Sequence, residues 1–401
     1  MSKCQCTTTK RKKCTRKSSK NYNHDDKYCW QHQDCYEYKD LINNKCGKKK
    51  IKYNDLFFKT SHGCFFHPPL KCSHQRDLDE GYKNDIMEVM FHDKNAIVQE
   101  EISRILSKID KNGTRYIPLS GHKCEIDTKA INFENRDLLK ECKLSYVEDK
   151  DVRGYFIKYK GSRITTYLQN HPMNININFI WKMLIRLSNS IYLLHSNGIV
   201  DLNINKNDII VSNDERPKLA NFYYAAFVNN IDYAEMIKHS TGVSRKYVYH
   251  YSDIAKDWPL FLAVLSTDNI DELYERYNDV LKLTKKYEKN ANYKFVKDTN
   301  SDIVKKLFLE AKTSTKDYIE KIVKPNIYKV DTFMLFNTFK SLFTPKYLAQ
   351  FLAENDDLTK KLLYLMYNSI TPYVDKQYDI NQVTRFMNIN KISKAAGLKE
   401  K

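Results

Sequence analysis

Residues 194–222 read LHSNGIVDLNINKNDIIVSNDERPKLANF, and their layout decides how the rest of the chain is understood. The apolar residues Ile180, Leu184, Leu187, Ile191 and Leu194 recur at helical spacing, which predicts a buried helix over 179–195. The helix runs into a Leu-His-x-x-Gly turn at 194–198. A polar loop follows, Asp201-Leu202-Asn203-Ile204-Asn205-Lys206-Asn207-Asp208, then a hydrophobic hairpin that leads to Asn221-Phe222-Tyr223.

Working outward, residues 60–72 read TSHGCFFHPPLKC, a strand-turn-strand opening, and 85–91 read DIMEVMF, a further strand. Residues 96–109, AIVQEEISRILSKI, carry apolar Ile97, Ile102, Ile105, Leu106 and Ile109 at helical period. Residues 152–161, VRGYFIKYKG, form another strand with a short helix after it over 163–170, and 329–335, KVDTFML, begin a buried helix. This arrangement resembles protein kinases, in which an H-R-D-x-K-x-x-N loop follows such a helix and a hairpin leads to D-F-G. It is most similar to the kinase-like proteins of mimivirus-type giant DNA viruses, from about Phe57 to Met387. The resemblance implies an α+β, bilobal protein-kinase-like fold, with a small β-rich N-lobe at 53–161 and a larger helical C-lobe at 162–390. A long insert at about 228–328 lacks a clear A-P-E, and a basic tail occupies 391–401.

The resemblance also assigns roles, and the residues in those positions are the wrong ones for phosphoryl transfer. The phosphate-covering loop needs G-x-G-x-x-G, and here the glycine positions hold Phe58, Thr60 and Gly63. Glu88 takes the place of the third-strand lysine, with Lys83 and Lys94 flanking as displaced cations. Glu100 or Glu101 takes the helix position that pairs with that lysine. Opposite Glu88 it would form a like-charge pair, so solvent or another basic side chain is its expected partner. Tyr159 lies in the hinge, where adenine is bound through backbone groups.

Asn203 replaces the loop aspartate, and an amide cannot accept a proton; losing a positioned base lowers rate by a factor of ~10² to 10⁴. Asn205 replaces the phosphate-balancing lysine, and Asn221 replaces the aspartate that holds the bridging metal. Asp208 stands where an asparagine binds the second metal, and its carboxylate remains a competent Mg²⁺ ligand. The scaffold residue Asp331, which in kinases caps the catalytic-loop backbone, is kept, while Gln377 replaces a C-lobe arginine.

The net charge is +18, and the first 50 residues hold 14 Lys/Arg against 5 Asp/Glu. Such an arm suits nucleic acid, an acidic partner or an anionic surface. Within it Cys6, Cys14, Cys29 and His32 have the spacing C-x7-C-x14-C-x2-H, which can close a tetrahedral zinc site, with Cys4 and Cys35 as competing ligands. Residues 4–34 resemble a Cys-Cys-Cys-His module that recurs in giant-virus proteins. A zinc-type module at 1–35 and a linker at 36–52 are therefore expected, zinc supplying folding energy that so polar a segment lacks.

No apolar run is long enough for a transmembrane helix, and the Lys- and Cys-rich amino end has no signal-like core. An intracellular location is expected; if the protein is viral, that means host cytoplasm, viral factory or virion. There the 10 cysteines read as free thiols or metal ligands more readily than as disulfides, and Cys46, Cys64, Cys72, Cys124 and Cys142 show no partner spacing.

The function expected is that of a pseudokinase, a kinase-fold binding or scaffold protein with an unidentified protein partner and no working Mg-ATP cofactor. One alternative is a divergent Ser/Thr kinase or ATP-binding enzyme centred on Asp208. Another is a nucleic-acid-binding protein acting through its basic arm.

Overall fold

A computed structural model of the chain describes residues 55–59, 63–67, 69–70, 72, 85–126, 152–158, 161–172, 175–234, 236, 257–275, 302–342, 345–390 and 392–395. The fold is mixed α+β, with its main sheet in the N-terminal half and a more helical C-terminal half. Strands β1 (Asp55–Lys59), β2 (Gly63–His67), β3 (Ile86–Phe91), β5 (Lys123–Glu125) and β6 (Val152–Ile157) form a five-stranded sheet in the order β1-β2-β3-β6-β5. Every pairing in it is antiparallel.

Because successive strand side chains face opposite ways, the sheet has two apolar faces. Cys64, Phe66, Met87, Val89, Val152 and Phe156 make a core on one side. On the other, Phe65, Ile86, Met90, Tyr155 and Ile157 join the main core. Glu88 lies opposite Phe65 on β2 and Tyr155 on β6, so the pleat sends it to this second face, where it is buried. Gly154 allows the first face to close, since a Cβ there would meet Met87 Sδ at 2.6 Å and Ile126 Cδ1 at 2.7 Å.

Helix α1 (Lys94–Ile109) follows β3 and begins where Asp93 caps the Ala96 amide at 2.9 Å. Its buried positions are Ala96, Gln99, Ile102, Ser103 and Leu106. Ile97, counted above in the apolar stripe, is instead 53% exposed: it sits about 100° around the helix from Ala96.

The expectation of unpaired thiols fails in this half. Cys72 and Cys124 form a disulfide across 52 residues of sequence, and Cys64 is also disulfide-bonded. The pairing arises from topology that spacing alone does not reveal: Cys72 forms an antiparallel bridge with Ile126, two residues beyond Cys124 at the sheet edge.

Strand β4 (Tyr116–Ile117) carries the chain across to a second sheet, ordered β4-β10-β9-β7, with β7 (Ser162–Arg163), β9 (Ile209–Val211) and β10 (Pro217–Ala220). Tyr116 also donates its hydroxyl to the Ser190 carbonyl at 2.6 Å, tying the halves together. Strands β8 (Ile199–Val200) and β11 (Ala226–Phe227) pair with each other.

Helix α2 (Ile164–Asn170) precedes the central helix α3 (Ile177–Ser196), on which the whole expected stripe of Ile180, Leu184, Leu187, Ile191 and Leu194 is buried. Trp181 is also fully buried there, with its indole nitrogen donating to the Leu358 carbonyl at 3.1 Å. Around α3 lie α4 (Asp302–Thr313), α5 (Lys329–Leu342), α6 (Pro345–Glu354), α7 (Asp356–Ile370) and α8 (Ile380–Ile389). Gln377 is buried and donates to the Ser369 carbonyl at 3.0 Å, closing the α7–α8 connection. Among the described residues no helix is long and apolar enough to cross a membrane.

Candidate functional site

The polar loop at 201–208 lies between α3 and the hairpin of β9 and β10, and its backbone is fixed from behind. Asp331 on α5, fully buried, accepts the backbone N–H of Asp201 and of Leu202, each at 2.9 Å. His195, in the last turn of α3, places Nε2 2.9 Å from the same carboxylate while its ring lies against Tyr328. A buried anion is tolerable when fixed donors surround it.

Those donors hold Leu202 at φ 64°, a left-handed conformation that a leucine adopts only when its surroundings impose it. Trp258 donates from its indole to the Leu202 carbonyl at 3.0 Å, and Thr338 donates to the Ile204 carbonyl at 3.2 Å.

The front of the loop carries the chemistry-bearing side chains, and the fold brings four of them together. Asp208, buried, accepts from Asn221 Nδ2 at 2.8 Å, from Asn205 Nδ2, and from Asn203 Nδ2 at a long 3.4 Å. Asn221 reaches it from a left-handed backbone, φ 65°, at the end of β10. Burial pushes the Asp208 carboxyl up to about 8, against the pull of the Asn221 hydrogen bond and the Arg163 charge; Glu88 adds to the rise. Asp201 is buried too, and burial together with the Asp331 and Asp208 charges raises its carboxyl well above the usual carboxylate range.

The amides around Asp208 present their NH2 ends to it. The lone pairs that a cation would use are therefore taken by hydrogen-bond donors, and the oxygens of Asn221 and Asn205 are turned elsewhere. This donor set does not fit a divalent metal, which needs oxygens converging on one point. It also lacks a proton acceptor at position 203.

On the sheet side, Glu100 of α1 takes the basic partner expected for it. Lys123 Nζ lies 2.6 Å from its carboxylate, the Tyr155 hydroxyl donates at 2.8 Å, and His92 Nδ1 stands at 3.6 Å. Burial alone would raise the Glu100 carboxyl; the Lys123 and Tyr155 hydrogen bonds outweigh it and hold the group below its ordinary value. Burial, with the nearby Arg153 charge, lowers His92. Glu101, the alternative, is exposed and faces Arg104 at 3.9 Å. Lys94 is exposed at the start of α1, and Lys83 lies outside the described residues. Tyr223, after the buried Phe222, bonds through its hydroxyl to the Asp93 carboxylate that caps α1. Phe222 meets Tyr116 edge-on at 6.0 Å.

Gly63 opens β2 and packs on β3, where a Cβ would meet the Val89 carbonyl at 2.5 Å; strand packing accounts for the glycine. Tyr159 and the four zinc-ligand candidates Cys6, Cys14, Cys29 and His32 lie outside the described residues. Among the described residues no group of three or more His, Cys, Asp or Glu side chains could hold a metal ion.

Sequence reasoning missed Lys123, Tyr155 and Trp258. Lys123 sits in a three-residue strand too short for a periodic signal, and Trp258 in the insert; its rarity, one of 3 tryptophans, was the one available pointer. Compared with protein-family models and with the curated proteins, the chain matches none.

Proposed function

We propose that the chain has a bilobal kinase-like fold and acts as a pseudokinase, a binding or scaffold protein that does not transfer phosphate. The observation that carries this reading is Asp208, a buried carboxylate boxed in by the amides of Asn203, Asn205 and Asn221. Each neighbour stands where phosphoryl transfer needs a base, a cation or a second metal ligand. The buried Glu88 on β3 adds negative charge toward the same region, which disfavours a triphosphate. The loop's backbone support through Asp331 is intact, so a scaffold is kept while its chemistry is lost.

A binding role also accords with α1 being tied down at its start by Asp93 and Tyr223 and at its middle by Glu100 and Lys123. A helix so held presents a fixed surface without help from nucleotide.

The test is calorimetric titration of the full chain with Mg-ATP, beside a phosphate-transfer assay with a generic protein substrate. The expected result is neither binding nor transfer at millimolar nucleotide. Saturable Mg-ATP binding would overturn the strict form and favour the divergent enzyme centred on Asp208.

A further inference from the structure

The disulfide lies where it can set the position of Lys123. Strand β5 has three residues and is paired along one edge with β6. Beyond its other edge, the contacts among the described residues are the Cys72–Ile126 bridge and the Cys72–Cys124 bond. Cys124 is the central residue of β5 and Lys123 its neighbour. By strand alternation their side chains point to opposite faces: Cys124 toward the core with Cys64 and Phe66, Lys123 toward Glu100.

We infer that the Cys72–Cys124 bond is a redox-sensitive clasp that holds β5 in place and, through Lys123, fixes Glu100 and helix α1. It operates independently of whether the protein binds nucleotide. Cys72 is 6% exposed and Cys124 is the more accessible partner, so Cys124 Sγ is the point of attack. A dithiol reductant attacks there as thiolate, the Cys72–Cys124 bond breaks, and Cys72 leaves as a thiolate that takes up a proton. The reductant's second thiol, deprotonated, then resolves the mixed disulfide. Cys124 is released and protonated, and the reductant leaves as its own disulfide. Two electrons and two protons pass to the protein.

With the clasp open, β5 keeps its β6 pairing alone. Lys123 then loses its fixed reach to Glu100, and α1 loses the charge-assisted hydrogen bond at its middle. Asp93 and Tyr223 still hold its start.

The experiment is hydrogen exchange by mass spectrometry on the full chain, oxidised and after treatment with dithiothreitol, with alkylation to count thiols. Amides of 98–109 are expected to exchange about tenfold faster after reduction, the effect of losing one hydrogen bond to a charged group, while 329–342 stay unchanged. Because dithiothreitol also reaches the bond at Cys64, the Cys72→Ser/Cys124→Ser variant is compared: it should show fast exchange in 98–109 before treatment and little further change after it. If that variant does not fold, Lys123→Met, which keeps the disulfide, should show the same fast exchange under both conditions. Alkylation showing Cys72 and Cys124 free in the air-isolated protein would overturn the proposal. So would equal α1 exchange in oxidised and reduced wild type, or a Lys123→Met variant whose α1 still responds to reduction.

Discussion

Asp331 and Asp208 are buried carboxylates on opposite sides of the same loop, and their surroundings differ in kind. Asp331 meets two backbone N–H groups and a histidine, donors whose positions the helices α3 and α5 fix. Asp208 meets three side-chain amides and the field of Glu88, and its carboxyl is pushed up to about 8. One anion organises the backbone; the other is a charge the site holds poorly. The difference teaches that the architecture of a catalytic loop and its chemistry have separate physical supports, so one can be lost while the other persists.

The comparison breaks first at Asp331. Asp331→Ala would leave the Asp201 and Leu202 amides and His195 without their acceptor, and would remove what holds Leu202 in its left-handed conformation. The expected loss is about 3–5 kcal/mol, as for removing one partner of a buried charged network. Denaturant titration reads it, and a midpoint within error of wild type would mean that the loop holds its shape without this anion. Asp331→Asn, which keeps acceptor geometry, should recover part of the loss.

Asp208 sharpens the comparison by pH. Its folded value is raised above the unfolded one near 4, so the folded state binds the extra proton between those values. Stability linked to this group is then fullest below pH 4 and declines as pH rises toward 8, by about 1.4 kcal/mol per unit. Asp208→Asn removes the titration. The variant should match wild type near pH 5 relative to its own acid baseline and gain on it by about 3 kcal/mol at pH 7. A difference that stays constant from pH 5 to 7 would mean that the three amides outweigh burial and keep Asp208 ionised throughout.

These contrasts bear on what the sequence could reveal. The stripe on α3 was legible because a helix buried at every fourth or third position writes its period directly into the residues, and all five expected positions are buried. The gathering of Asn203, Asn205, Asp208 and Asn221 was legible only through the order of loop, hairpin and turn, since nothing in their spacing brings position 221 to 208 without the pairing of β9 and β10. Ile97 misled, because one apolar residue off the stripe looks the same as one on it until the helix phase is fixed by Ala96 and Gln99. The disulfide and Lys123 were illegible for a common reason: both depend on which strand closes the sheet edge, a long-range pairing that local pattern does not encode. The basic arm and its cysteines lie outside the described residues, so zinc remains an expectation of spacing.

The smallest expected effect falls on the back of the loop, at a residue from the insert. Trp258 is buried, and its indole nitrogen is the donor to the Leu202 carbonyl, whose own peptide plane is turned by the positive φ at 202. Trp258→Phe keeps most of the apolar packing and removes that donor alone, leaving a buried carbonyl unsatisfied at a cost of about 1–2 kcal/mol. The informative measurement is the Asp331→Ala, Trp258→Phe double-mutant cycle. If both side chains stabilise the one strained conformation at Leu202, the double variant should lose less than the sum of the singles, by at least ~0.5 kcal/mol. Strict additivity would place Trp258 in ordinary core packing and leave Asp331 as the group that sets the loop. Coupling would instead make the insert part of the loop's support, which explains why a segment with no resemblance to a substrate-recognition element still carries a fully committed tryptophan.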